Sequence, residues 1–204
     1  MRGVTRSLAL AAVAALGTVS CISIGPRDSP ATRHYVLSPV VETPPGGTGS
    51  PTAPLVVGVG PVTLPAYLDR PQMVVRRAPD LIEIVEFEQW GEPLRDGVTR
   101  VLAVNLAHLL PDSVVVVFPW RSMETVRCQV VVDIVQMDGP AGGILALDAR
   151  WRVLDRSGSE VAARISQLRE PAGAGGTAAA VSRALGALSR DIAREVNATE
   201  RREP

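Results

Sequence analysis

Apolar positions along this chain recur in two rhythms, and the change from one to the other marks the elements. Leu94, Val98, Val101, Leu102, Leu106 and Leu109 return at three- and four-residue steps, while Arg95, Asp96, Thr99 and Arg100 take the opposite face. That pattern predicts an amphipathic helix over residues 90–110. Glu92 and Pro93 suit its first turn, where proline needs no amide partner and a carboxylate meets the positive end of the dipole; Pro111 closes it. Val181, Leu185, Leu188, Ile192 and Val196 predict a second helix that ends near Asn197, with Thr177 as its cap.

Elsewhere the period is two. Leu145, Leu147, Ala149, Trp151 and Val153 face one way and Asp148, Arg150 and Arg152 the other, the cleanest strand pattern in the chain. Residues 126–137 precede it across a Gly-Pro-Ala-Gly-Gly turn. Residues 160–169 follow it across Asp155-Arg156-Ser157-Gly158-Ser159, with Val161, Ala163 and Ile165 read as inward. Residues 73–77 and 81–87 read as a hairpin about Ala78-Pro79-Asp80, and residues 34–37 as a short first strand. The uninterrupted run Ser-Val-Val-Val-Val-Phe at 113–118 predicts a strand covered on both faces. Together these elements predict an α+β two-layer sandwich: one mixed, mostly antiparallel sheet with two helices on one face.

Residues 56–75 organise the rest. β-branched runs flank a middle that holds Gly60, Pro61, Pro65 and Pro71, and proline's missing amide and fixed φ exclude a helix or a central strand there. The middle reads as a stiff, extended connection carrying Leu64, Tyr67 and Leu68 beside Asp69 and Arg70. Such a segment suits contact with another protein, because it has little entropy left to lose. The other reading is a crossover loop whose Leu and Tyr tuck under its own sheet. Trp120, after the Phe118-Pro119 pair, fits a core cap and a partner contact equally well. Asn105, beside the helical stripe, is expected to brace a neighbouring loop or strand, with a binding role as the alternative.

The 204 residues are 46% hydrophobic and 21% charged, which suits one domain with one core, and 21 basic residues balance 21 acidic ones. That balance leaves no electrostatic footprint for a nucleic acid. Arg2 and Arg6 precede an apolar run over residues 8–19, some 12 residues against the roughly 20 needed to span a bilayer. Residues 1–20 therefore read as a removable export signal. Cys21 just after the apolar core resembles the lipidated cysteine of bacterial lipoproteins, although Thr18 departs from the usual Leu; an ordinary secretory signal is the alternative. With Cys21 acylated, Cys128 has no intramolecular disulfide partner and reads as a buried thiol. Residues 21–32 form the tether, 33–198 the folded domain, and 199–204 a polar tail. The loop 40–54, rich in Pro and Gly, is too poor in apolar residues to pack.

No catalytic chemistry stands out. His34 and His108 are far apart and lack a cluster at metal-ligand spacing, and no nucleophile-elbow, phosphate-loop or zinc-protease motif is present. Glu83, Glu86 and Glu88 read as a solvated strand face. We expect no metal, no cofactor and no enzymatic activity.

Residues 58–72, Gly-Val-Gly-Pro-Val-Thr-Leu-Pro-Ala-Tyr-Leu-Asp-Arg-Pro-Gln, resemble the signature of the PqiC-type lipoproteins, auxiliary subunits of MCE-type intermembrane transport systems. Tyr35-Val36-Leu37, Trp90-Gly91-Glu92-Pro93-Leu94, Asn105-Leu106 and Phe118-Pro119-Trp120 extend the resemblance in the family's order. It implies an envelope lipoprotein held at the outer membrane by acyl chains on Cys21, Ile22 standing where Asp would favour the inner membrane. It also implies docking to an MCE-domain protein, ring-like self-association, and transport of lipids or other hydrophobic compounds. The candidate partner-binding residues are Leu64, Pro65, Tyr67, Leu68, Asp69, Arg70, Trp90 and Trp120. A lipid- or hydrophobe-binding module of the same transporter class is the alternative.

Overall fold

In the order of the chain, the computed structural model runs β1 (Arg33–Tyr35), β2 (Leu55–Thr63), β3 (Gln72–Ala78), β4 (Leu81–Trp90), α1 (Leu94–Leu109), β5 (Ser113–Val117), β6 (Cys128–Asp138), β7 (Ile144–Asp155), β8 (Glu160–Pro171) and α2 (Gly176–Glu200). It describes residues 30–40, 54–120 and 126–201. The export signal, Cys21, most of the tether, the Pro/Gly-rich loop and the last residues of the tail lie outside the described residues.

The α+β expectation holds, with the strands divided between two sheets. β6, β7 and β8 form the expected antiparallel meander, and β2 joins it in parallel beside β6, with β5 parallel at the edge, in the order β5-β2-β6-β7-β8. The second sheet has the order β1-β4-β3 and is built on the β3–β4 hairpin. The division comes from the proline-punctuated stretch after Thr63, which turns the chain away before β3 begins. Arg76 of β3 then ties the sheets together through its amide, which donates to Gly139 O at 2.9 Å, and through its side chain on Asp138.

Both helices pack on the large sheet, whose inner face carries Val57, Val59, Val130, Val132, Ile134, Leu147, Ala149 and Val153, all essentially buried. The predicted stripe of α2 is buried in full, as is that of α1 from Leu94 to Leu106. Each such aliphatic side chain contributes about 1.5–3 kcal/mol by leaving water. Asn105 sits at the helix–helix contact, where its amide donates to Ser189 Oγ of α2 at 3.2 Å. It braces a helix, not the loop or strand expected.

Five local expectations are corrected. Helix α1 starts at Leu94, because Pro93 at its N-cap has an extended ψ of 125° and Trp90 ends β4. Thr177 makes no cap: Gly176, at φ +69°, follows a one-turn 3-10 segment and the helix begins with it. Val161 is an extra residue in β8, opposite the junction of Val153 and Leu154. The slip turns Ala162 and Ser166 inward and leaves Ile165 70% exposed. Residues 113–117 form an edge strand, so Val114 and Val117 are exposed where both faces were expected to be covered. Finally, β2 runs through Pro61 despite its central place. It does so on a bulge between Val59 and Val62, at the point where pairing with β5 has stopped, so the missing amide breaks no ladder there.

Candidate functional site

Beyond Thr63 the chain does not stay extended. Leu68 N donates to Pro65 O at 2.9 Å and Arg70 N to Leu68 O at 2.8 Å, which makes residues 65–70 a pair of tight turns. The turns drive Leu68 into the core, 3% exposed, with Leu64 and Tyr67 half-buried against it. The crossover reading therefore takes these three side chains, and Leu68 is no surface contact.

Tyr67 is held by chemistry as well as packing. Its hydroxyl donates to Asp138 Oδ2 at 2.6 Å, and Arg76 clamps the same carboxylate with Nε on Oδ1 at 2.6 Å and Nη2 on Oδ2 at 2.9 Å. Gln136 adds a fourth bond at 2.9 Å. Burial alone would raise the pKa of Asp138, whose side chain is fully enclosed, but the bonds from Arg76, Tyr67 and Gln136 hold it below the usual carboxylate value. Tyr67 is pushed up to about 12, first by burial and then by its bond to the carboxylate. The Arg76 guanidinium also lies 5.9 Å from the centre of the Tyr67 ring. The sequence reading missed this cluster; the one trace of it is a lone Asp at the end of an apolar strand, directly before Gly139-Pro140.

What the turns display is Asp69, Arg70 and Pro71. They form one wall of a hollow of ≈ 380 Å³, and Trp90, Gly91, Glu92, Pro93 and Leu94 form the other. Trp90 N donates to Pro71 O at 2.7 Å, closing the base, while the Trp90 ring is 9% exposed and serves the core more than the surface. Gly91 carries no Cβ where one would lie 3.1 Å from Val36 Cγ2. Two ion pairs frame the entrance: Arg95 Nη2 to Asp69 Oδ2 at 2.5 Å, and Arg100 Nη2 to Glu92 Oε1 at 2.5 Å. Arg100 also donates to Leu37 O at 2.9 Å, which fastens the chain after β1 to α1.

On the far side of the Arg95–Asp69 pair lies a larger groove of ≈ 760 Å³ between α1, the end of β2 and the end of β5. Its walls are mainly apolar, with Val62, Leu64, Ala103, Val117 and Phe118 prominent, and Phe118 is 46% exposed. Trp120 stands behind Phe118 in an edge-to-face contact, ring centres 5.3 Å apart at 85°. It also covers Gly58, where a Cβ would fall 2.8 Å from Trp120 Cζ3, so this tryptophan caps the sheet. Of the eight candidates, then, Asp69 is exposed, Leu68 and Trp90 are buried, and Leu64, Pro65, Tyr67, Arg70 and Trp120 are half-buried. The structure places Asp69 and Arg70 together with Trp90, but not with Trp120.

Among the described residues no group of three His, Cys, Asp or Glu could hold a metal ion, and no helix is long and apolar enough to cross a membrane.

A family model described as the ABC-type transport auxiliary lipoprotein component matches residues 35–193. No curated protein matches the chain. Among solved structures, an uncharacterized protein superposes with a TM-score of 0.67 at 20% identity, over 81% of this chain and 99% of that one. A Xanthomonas campestris protein does so with 0.61 at 14% identity, over 79% and 93%. These two share the fold. A PelC dodecamer from Paraburkholderia phytofirmans gives 0.41 at 11% identity, over 66% and 86%.

Proposed function

The chain belongs to the family of ABC-type transport auxiliary lipoprotein components, and on that premise we propose that it is a non-enzymatic adaptor anchored in the outer membrane and facing the periplasm. It serves an MCE-type system that moves lipids or other hydrophobic compounds. Acyl chains on Cys21 hold it to the bilayer, each buried methylene contributing about 0.8 kcal/mol. The face around Asp69, Arg70, Trp90 and Glu92 docks onto the MCE subunit.

One observation carries this reading. Residues 69–71, the end of the signature at 58–72, and residues 90–94, which extend the resemblance, are separated in sequence by a whole hairpin and still form opposite walls of one hollow. This part of the shared motif lies at the surface, which supports a docking role for it. Self-association into a ring is part of the proposal. An uncharged edge strand such as β5, with Val114 and Val117 exposed, is a ready template for a neighbouring chain.

Co-purification with crosslinking from native membranes tests the proposal. The expected result is capture of an MCE-domain subunit by the wild-type chain and its loss when Asp69 and Arg70 are both charge-reversed. Capture that survives the reversal would move the docking face elsewhere.

The apolar groove beside Phe118 favours a second reading, a module that binds a hydrophobic compound directly. Its size falls in the range of small-molecule sites. That reading requires lipid to co-purify with the isolated protein, which a docking subunit alone would lack.

A further inference from the structure

Resting on the docking reading and deepening it, we propose that Arg70 is the residue of this face that recognises an anion. Its ligand is a carboxylate presented by the docking partner, on an Asp or Glu side chain or at a chain terminus. Three charged side chains line the smaller hollow, Asp69, Arg70 and Glu92, while Arg95 and Arg100 belong to the wall of the larger groove and reach across to the two carboxylates. Asp69 is taken by Arg95 and Glu92 by Arg100. Arg70 is left over: among the described residues its side chain has no ion-pair partner, and its Nε is enclosed with no acceptor.

A folded chain rarely leaves a buried donor unmet, since the desolvation is then uncompensated. Residues that break this rule without a structural gain gather at functional sites. Arg70 fits that description. Its backbone completes the turn through the bond to Leu68 O, which any residue with an amide N–H would make, and that bond does not use the guanidinium.

Charge and shape select the ligand. With Asp69 paired to Arg95 and Glu92 to Arg100, Arg70 is the one charged residue of the hollow's lining without an ion-pair partner, and a monoanion balances it. A phosphate dianion would add a second negative charge beside Asp69 and Glu92. The planar fork of arginine matches the two oxygens of a carboxylate. The hollow, ≈ 380 Å³ and lined by Pro71, Pro93 and Leu94 besides the charges, holds one side chain or terminus and not a lipid with its acyl chains. Its apolar walls strengthen the pairing by excluding water.

The test is an NMR titration of the acylated full-length protein in micelles, with sodium acetate as one probe and inorganic phosphate as the other. The Arg70 Nε–H signal is assigned by its loss in Arg70→Lys. Acetate should shift that signal and the Trp90 indole N–H saturably. In Arg70→Gln the Trp90 response should weaken at least about tenfold, the loss expected for a charge-assisted pair, with the melting curve unchanged. Arg70→Lys, which keeps the charge without the fork, should fall between the two and carries the test if the Gln variant does not fold. Absence of a saturable shift, or an equal response in Arg70→Gln, overturns the proposal. Tighter binding of phosphate than of acetate overturns the carboxylate assignment in favour of a phosphate headgroup. The docking reading fails separately, if the wild-type chain captures no transporter subunit.

Discussion

Replacing Asp138 with Asn probes the bond that fixes the Leu64 to Arg70 stretch to the fold. The carboxylate is fully enclosed and takes two bonds from Arg76, one from Tyr67 and one from Gln136. Removing one member of a buried, hydrogen-bonded ion pair typically costs about 3–5 kcal/mol. Arg76 is 24% exposed and its freed charge can reach water, so the lower figure of about 3 kcal/mol applies. In a domain of this size each kcal/mol moves the melting temperature by about 2–4 °C, so a fall of roughly 6–12 °C is expected. Tyr67→Phe removes one charge-assisted bond and should cost about 1.5 kcal/mol. A double-mutant cycle between the two should be non-additive, because each partner's loss already removes the shared bond.

The same cluster sets a pH dependence. The folded pKa of Asp138 lies below its ordinary value of 3.8, so its contribution is complete above that value and is lost as the pH falls below it through the folded pKa. Tyr67 has the opposite sign. Its pKa rises from 10.0 to about 12, so its contribution is complete below pH 10 and disappears as the pH climbs toward 12. Thermal melts by circular dichroism from pH 3 to pH 11 read both limbs. A fall of less than about 1 kcal/mol for Asp138→Asn, below what a buried pair allows, with additive behaviour in the cycle, would refute the claim that this cluster pins the segment.

Three further outcomes are expected. Cys21→Ala should release the protein from the membrane fraction; unchanged partition in detergent phase separation would refute acylation. Gly58→Ala should cost about 1–3 kcal/mol by overpacking, because the new methyl would lie 2.8 Å from Trp120 and 2.9 Å from Val126; denaturant melts followed by tryptophan fluorescence check it. Deleting residues 43–51 should leave the melting temperature nearly unchanged, since a stretch of Pro, Gly, Ser and Thr has few apolar side chains to contribute to a core. A misfolded product would show that it packs.

The sequence displayed its periodic elements well because burial writes itself directly into residue type. The α2 stripe and the β6–β7 pair read correctly from spacing alone, whereas β8 joins the meander with the face opposite to the expected one turned inward. What misled was information carried by a single residue or by a partner strand. Val161 looks inward by alternation, and only the neighbouring strand's register shows it to be the extra residue of a bulge. The run at 113–118 is apolar enough for an interior strand, yet whether a strand lies beyond it is a property of the sheet and not of the run. Pro61 argued against a central strand by its chemistry, and the structure meets that objection by ending the β5 pairing first. The site was half legible: the motif named Asp69, Arg70 and Trp90, whereas Asp138, more than sixty residues away, gave no local sign of bonding to Tyr67.

The burial of Leu68 and Tyr67 does not argue against a docking role for the same segment; it supplies the condition for one. An extended ribbon in solvent would have to be ordered when it met a partner, and each side chain so immobilised costs about 0.5–1.5 kcal/mol of binding. Here folding has already paid that entropy, through Leu68 in the core, Tyr67 on Asp138, and Trp90 N on Pro71 O. Asp69 and Arg70 are consequently presented in fixed relation to Glu92 and the start of α1. What holds the segment is tertiary: two tight turns tied through Tyr67 to a buried carboxylate, with Asp69 and Arg70 displayed beyond them.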